Sequence, residues 1–214
     1  MDAILPWDEM QALIEPVYPQ VPVGSGTRPI PLPVMLRMLL LGVWFNLSDV
    51  GVEDSLYDTA CMREFVGVDV VNHRVPDATT LCKFRKLLND HDLHGQLFQV
   101  LTESLGRAGL QVQKGTVVDA TIIHAPTSTK NKEKQRDPEM ASTRKGGQWY
   151  FGMKLHIGAD SKFPIAHTVS ITPANPHDST EFANLLHGDE TRVYGDPAYH
   201  GEPQKAQIHA IGAK

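Results

Sequence analysis

The sequence is short of most features that announce a function. Its 214 residues contain two cysteines, Cys61 and Cys82. These lack metal-site spacing and are too few for a disulfide framework, so a reducing cytosol is the expected setting. Basic residues are not in excess: 20 Lys and Arg stand against 25 Asp and Glu, a net charge of −5. Overall charge therefore gives no pull towards nucleic acid. Long apolar runs are missing too. Residues 34–45 are very apolar, but they are too few to span a bilayer and include Arg37, so a buried core helix is expected and no membrane partner. Met1-Asp2-Ala3 has neither the basic start nor the apolar stretch of a signal peptide. There is no glycine-rich phosphate loop and no Ser/His/Asp or Cys/His arrangement. Histidine is plentiful, at ten residues, but scattered. His91 and His94 share a helix face without a partner pattern, which gives no zinc site.

What remains is a folded globular chain, 41% hydrophobic and 21% charged, whose character changes along its length. The first 110 residues carry net −6 and read as helices; the rest carry net +1 and read mainly as strands. Trp7 to Ile14 is an amphipathic helix stopped near Pro16. Pro33 opens the run to Phe45. Ser48 or Asp49 caps a helix through Tyr57. Pro76-Asp77-Ala78-Thr79-Thr80 starts another, with Leu81, Phe84, Leu87 and Leu88 on one face. A last helix runs from about Leu93 to Ala108 and stops at Gly109. Thr116 to Ile123 is then a strand by β-branching. Residues 125–147 read as a polar loop. Trp149 to Ala159 and Pro164 to Thr172 are antiparallel strands joined at Asp160-Ser161-Lys162. Pro176 to Leu186 reads as a helix, and Arg192 to Gly195 as a short strand. Beyond Tyr199 the helical pattern is weakened by Gly201, Pro203 and Gly212. The fold class is α+β: a helical domain over 1–110, then a mixed sheet over 111–214. A crossover between the third and fourth strands permits the first and last strands to pair in parallel.

Two aspartates stand out against this background. Asp119 lies inside an apolar strand and Asp196 directly after one. Parallel pairing of those strands brings them together. Adjacent carboxylates repel unless a cation compensates them, and oxygen-only ligands suit Mg²⁺. A metal-dependent phosphodiester enzyme is the expected chemistry. Taken singly, Asp119 also suits a strand-end cap of nearby amides and Asp196 an ordinary turn residue.

Several longer stretches point the same way. They are Leu47-Ser48-Asp49, Pro76-Asp77-Ala78-Thr79-Thr80-Leu81 with Lys83-Phe84-Arg85, and Gly115-Thr116-Val117-Val118-Asp119-Ala120-Thr121. To these add Ser128-Thr129-Lys130-Asn131-Lys132, Arg136-Asp137-Pro138-Glu139-Met140, Gly147-Gln148-Trp149-Tyr150-Phe151-Gly152-Met153-Lys154, and His187-Gly188-Asp189-Glu190-Thr191 running into Tyr194-Gly195-Asp196. Over nearly its whole length the chain resembles bacterial DDE transposases of the insertion-sequence-five type. The resemblance implies a ribonuclease H-like catalytic domain behind a helical domain. It implies cutting and joining of transposon DNA with Mg²⁺ (or Mn²⁺), with Asp119 and Asp196 as the first two catalytic and metal-binding acids. It also implies terminal inverted repeats and target DNA as partners, a homo-oligomer on DNA, and a bacterial cytoplasmic, nucleoid-associated setting. The family's third acid is a Glu on a later helix, beside Tyr, Arg and Lys, and that signature is missing. Glu202, six residues past Asp196, is expected on the surface. The expectation is a C-terminally truncated transposase with reduced or no activity, and its Met1 need not be the native start. The alternatives are a non-catalytic DNA-binding regulator or inert remnant, and a nuclease that cuts without joining.

DNA contacts are expected from Lys130, Lys132, Lys134, Arg136, Arg144 and Lys145 in the loop after Asp119. Lys83, Arg85 and Lys86 on the 77–90 helix are a second set. Each set reads equally as a solvated surface. Trp149 and Tyr150 are expected in the core rather than stacked on a base, and His200 in a turn near Asp196.

Overall fold

A computed structural model describes residues 2–20, 29–71, 74–110, 114–126, 135–163 and 165–214. The chain divides into two compact units, Met1–Leu105 and Gly106–Lys214. In the first, α1 (Trp7–Ile14), α2 (Leu32–Phe45), α3 (Asp49–Asp58), α4 (Ala60–Val66) and α5 (Ala78–Asp90) are followed by α6 (Leu93–Arg107), whose last turn crosses the boundary. The helix starts are chemically defined. Ser48 Oγ accepts from Gly51 N at the head of α3, and Asp77 Oδ1 accepts from Thr80 N at the head of α5. Ile14, Leu36, Met38, Val52, Leu56, Leu81 and Leu88 form a closed apolar core. Among the described residues no single helix is long and apolar enough to cross a membrane.

The second unit is built on a mixed sheet. Its strands are β1 (Gly115–His124), β2 (Ala141–Lys145), β3 (Gln148–Asp160), β4 (Ala166–Pro173) and β5 (Arg192–Gly195). β3 is the hub and pairs antiparallel with β1, β2 and β4. β5 lies parallel to β1, as the crossover argument anticipates, with Val117 opposite Tyr194 and Val118 opposite Gly195. One sheet face is covered: Val118, Phe182, Leu185 and Tyr199 form its core, with Ile208 of α7 (Glu202–Ala210) packed against them. On the other face Val117, Ile123, Val169, Ile171 and Tyr194 stand exposed. Helices gathered in the first unit and a mixed, mostly antiparallel sheet in the second make the fold α+β.

Three sequence expectations need correction, and the helix suggested beyond Tyr199 is present. The polar stretch 125–147 is not all loop, because Ala141–Lys145 pairs with β3 through a tight turn at Gly146-Gly147. Both turn glycines have positive φ, the geometry that suits a two-residue hairpin. Pro176 to Leu186 is not an α-helix but two 3₁₀ turns, Asp178–Thr180 and Phe182–Leu185. Residues 202–210 do form a helix, with Pro203 in its first turn, where a missing N–H costs nothing. Trp149 is 66% exposed rather than in the core; Tyr150 is half-buried, its ring edge-on to His124.

The covered face of the sheet carries one buried histidine and two half-buried ones. His156 is fully buried with Nε2 2.9 Å from Thr172 Oγ1. His167 stands 3.1 Å from Thr116 Oγ1 and stacks edge-on with His187. Burial lowers the pKa of both, and His187 adds to the effect at His167. A histidine that resists protonation in the folded state stabilises fully above its ordinary value and progressively less below it. Stability of the second unit is therefore expected to hold from neutral pH down to about 6.5 and to fall on further acidification, by up to about 1.4 kcal/mol per pH unit for each histidine. Urea unfolding at a series of pH values measures this, and His167→Gln should flatten the slope.

Candidate active site

The site forms where β5 ends against the middle of β1. Val118 and Gly195 are register partners, so Asp119 and Asp196, each one residue further on, stand side by side. Gly195 permits the close approach. A Cβ there would lie 2.9 Å from Val118 Cγ2 and 3.3 Å from Tyr199 Cβ, tighter than ordinary packing allows. Both aspartates are exposed.

Each carboxylate has one oxygen engaged locally. Asp119 Oδ1 accepts from Ala120 N at 2.7 Å. Asp196 Oδ1 accepts from Ala198 N at 2.9 Å and so caps the 3₁₀ turn Pro197–Tyr199. The capping roles that sequence alone allowed are thus real, and they leave Oδ2 of each residue without a protein partner among the described residues. Two adjacent carboxylates with free oxygens and no nitrogen or sulfur donor suit a hard divalent cation. Among the described residues no set of three His, Cys, Asp or Glu side chains is grouped to hold a metal. Glu202 is no third ligand in this arrangement: it lies in the first turn of α7 and pairs with Lys205 Nζ at 2.9 Å.

Sequence reasoning missed three residues around this pair. Tyr199 is 5% exposed, and its hydroxyl is buried with no hydrogen-bond partner. Burial raises its pKa, and the charges of Asp178, Asp119 and Asp196 push it further, so the phenol stays neutral. All three acids thus act on one buried hydroxyl. Lys154, in the centre of β3, is 8% exposed and donates to Asp178 Oδ1 and to Pro176 O, each at 2.6 Å. Lys154 and Asp178 line a cavity of about 370 Å³ together with Asp196, Arg144 and Lys145. The available signal was a lysine inside a strand, Phe151 to Ala159, whose other residues are apolar or glycine apart from His156.

The predicted DNA contacts are spread more widely. Arg144 and Lys145 are exposed on β2 and reach the cavity. Arg136 lies over the Phe151 ring, 5.2 Å from its centre. Lys130, Lys132 and Lys134 lie outside the described residues. In the first unit Lys83, Arg85 and Lys86 are exposed on α5. Arg85 pairs with Asp49, and Lys86 with Asp90 at 2.8 Å, so those two cations are already partly neutralised. His200 ends the 3₁₀ turn after Asp196 and is exposed.

The unpartnered Tyr199 hydroxyl gives a direct check on this packing. A buried hydroxyl without a partner costs more than it returns. Tyr199→Phe is expected to raise the unfolding free energy by about 1 kcal/mol; a loss of similar size in chemical denaturation would mean that the hydroxyl is bonded.

Comparison with known families agrees with the motifs. Residues 1–87 match a family model described as a transposase domain (DUF772), and residues 111–214 match one described as a transposase DDE domain. No solved structure matches the chain. The second match falls on the sheet that carries Asp119 and Asp196, a ribonuclease H-like arrangement whose family is metal-dependent and acts on DNA. The chain belongs to the DDE transposases.

Proposed function

We propose that this chain is a transposase of the insertion-sequence-five type. It binds the terminal inverted repeats of its element, and Asp119 and Asp196 hold the divalent cation used for strand cleavage and transfer. The observation that carries this reading is the parallel register of β1 and β5, which sets two part-free carboxylates side by side. When bound, Mg²⁺ or Mn²⁺ supplies the positive charge that lets a water or a 3′ hydroxyl act as nucleophile near neutral pH and that stabilises the leaving oxygen. The chain's own part is to fix the two carboxylates at adjacent strand ends. It also keeps the neighbouring Tyr199 phenol neutral and places Arg144 and Lys145 where a phosphate backbone can pass. The helical unit and the 130–145 segment supply further backbone contacts, and assembly on paired DNA ends makes the protein a homo-oligomer in the nucleoid.

A second reading is DNA binding without cleavage, in which these residues act as a regulator. It is favoured by the lack of a third carboxylate grouped with the pair among the described residues, since two carboxylates alone hold a cation weakly.

Incubation with terminal-repeat DNA separates the two. The transposase reading expects strand cleavage in Mn²⁺ that drops at least about 100-fold in Asp119→Asn or Asp196→Asn, on the scale of losing a preorganised charge-stabilising group, with DNA affinity kept. Tight DNA binding with no cleavage in Mg²⁺ or Mn²⁺ would select the regulator.

A further inference from the structure

Lys154 is a buried ammonium in the second unit, 8% exposed, and the aspartate pair does not account for it. An ammonium at the centre of a strand pays a desolvation penalty that a salt bridge seldom repays in full, and an apolar residue of similar volume would serve packing better. Its two hydrogen bonds, to Pro176 O and Asp178 Oδ1, use two of three N–H donors. The group lines the cavity that Asp196 also lines. At about 370 Å³ the cavity is within the range that takes a small ligand or one nucleotide unit. Arg144 and Lys145 line it too, and neither has a carboxylate within ion-pair distance among the described residues. With Asp178 neutralising Lys154, and Asp196 turned to a cation, the cavity carries a positive surplus.

We propose that this cavity seats a backbone phosphate of the DNA strand beside Asp196, with Lys154 as the buried phosphate contact and Asp178 as the residue that positions it. The inference rests on the transposase reading and deepens it. Asp178 has a definite physical task. A lysine sharing a cavity with Asp196 would pair with that carboxylate and compete with a metal ion for it. Held by Asp178 at 2.6 Å, the ammonium stays off Asp196 and keeps one donor for an anion. Asp178 itself is anchored by the 3₁₀ turn that it opens, on the segment Pro176–Thr180 packed over the sheet's covered face.

The test is fluorescence anisotropy with a labelled 20-base-pair duplex in EDTA, over a series of KCl concentrations, so that binding is read without metal or cleavage. Wild type is expected to bind with affinity that falls steeply with salt. In the double variant Lys154→Met/Asp178→Asn, which leaves no unpaired buried charge, the log–log slope should drop by about 0.9, the signature of one lost phosphate contact. Lys154→Arg should keep the wild-type slope. Asp178→Asn alone lets the ammonium turn to Asp196 and should weaken binding severalfold and lower the slope, whereas a purely structural clamp would leave the affinity of the folded protein unchanged. An unchanged slope in the folded double variant, or unchanged or tighter binding by Asp178→Asn, overturns the proposal while leaving the transposase reading intact. Failure of the wild-type chain to bind the duplex contradicts that reading itself.

Discussion

Everything at the site depends on one strand pairing. Asp119 and Asp196 are 77 positions apart in sequence, and only the parallel ladder between β1 and β5 joins them. That ladder is short, four residue pairs from Gly115–Arg192 to Val118–Gly195. It is held from one side by β3, which pairs along the full length of β1, and from below by Val118, Phe182, Leu185 and Tyr199. A parallel connection needs a crossover of a dozen or more residues. Here the crossover supplies the 3₁₀ turns that cover the sheet face, so closing the loop and building the core are one event. The same segment brings Asp178 to Lys154.

The pairing also explains how costly groups are tolerated. Two adjacent carboxylates, a buried lysine, a buried phenol, a buried histidine and a half-buried one share the sheet of one small unit. Their costs are offset locally: Asp119 and Asp196 by backbone amides, Lys154 by Asp178 and a carbonyl, His156 and His167 by threonine hydroxyls. The Tyr199 hydroxyl and His156 Nδ1 are left without partners among the described residues, and Tyr199 lies in the field of all three acids. Buried polar groups gathered at one place, with only just enough partners, are expected where a ligand completes the set.

Much of this was legible in the sequence, for identifiable reasons. α1 has the bounds that periodicity and Pro16 imply, and Ser48 and Asp77 cap their helices because their side chains suit no other role there. The β1–β5 pairing followed from element order and the crossover between the third and fourth expected strands. What was not legible depends on tertiary contact. β2 is polar and takes its strand form from pairing with β3, not from propensity. Residues 178–185 carry a helix-like pattern but tighten to 3₁₀ as they pack under the sheet, where Gly158 leaves room for the Leu185 carbonyl. α4 is seven residues long, too short to show a period. Trp149 looked like core by composition, yet it sits beyond the part of β3 that the sheet covers. The aspartate pair was visible because an acid in an apolar strand is rare. Lys154 was overlooked although the same reasoning applies to it.

The central claim is that Asp119 and Asp196 together form a divalent-cation site. Electron paramagnetic resonance of free Mn²⁺, titrated with the intact chain without DNA, tests it most directly. The account predicts that signal is lost as the chain binds Mn²⁺, that either Asp119→Asn or Asp196→Asn abolishes this binding, and that Glu202→Gln leaves it unchanged. Equal Mn²⁺ uptake by the Asp119→Asn/Asp196→Asn double variant would contradict it.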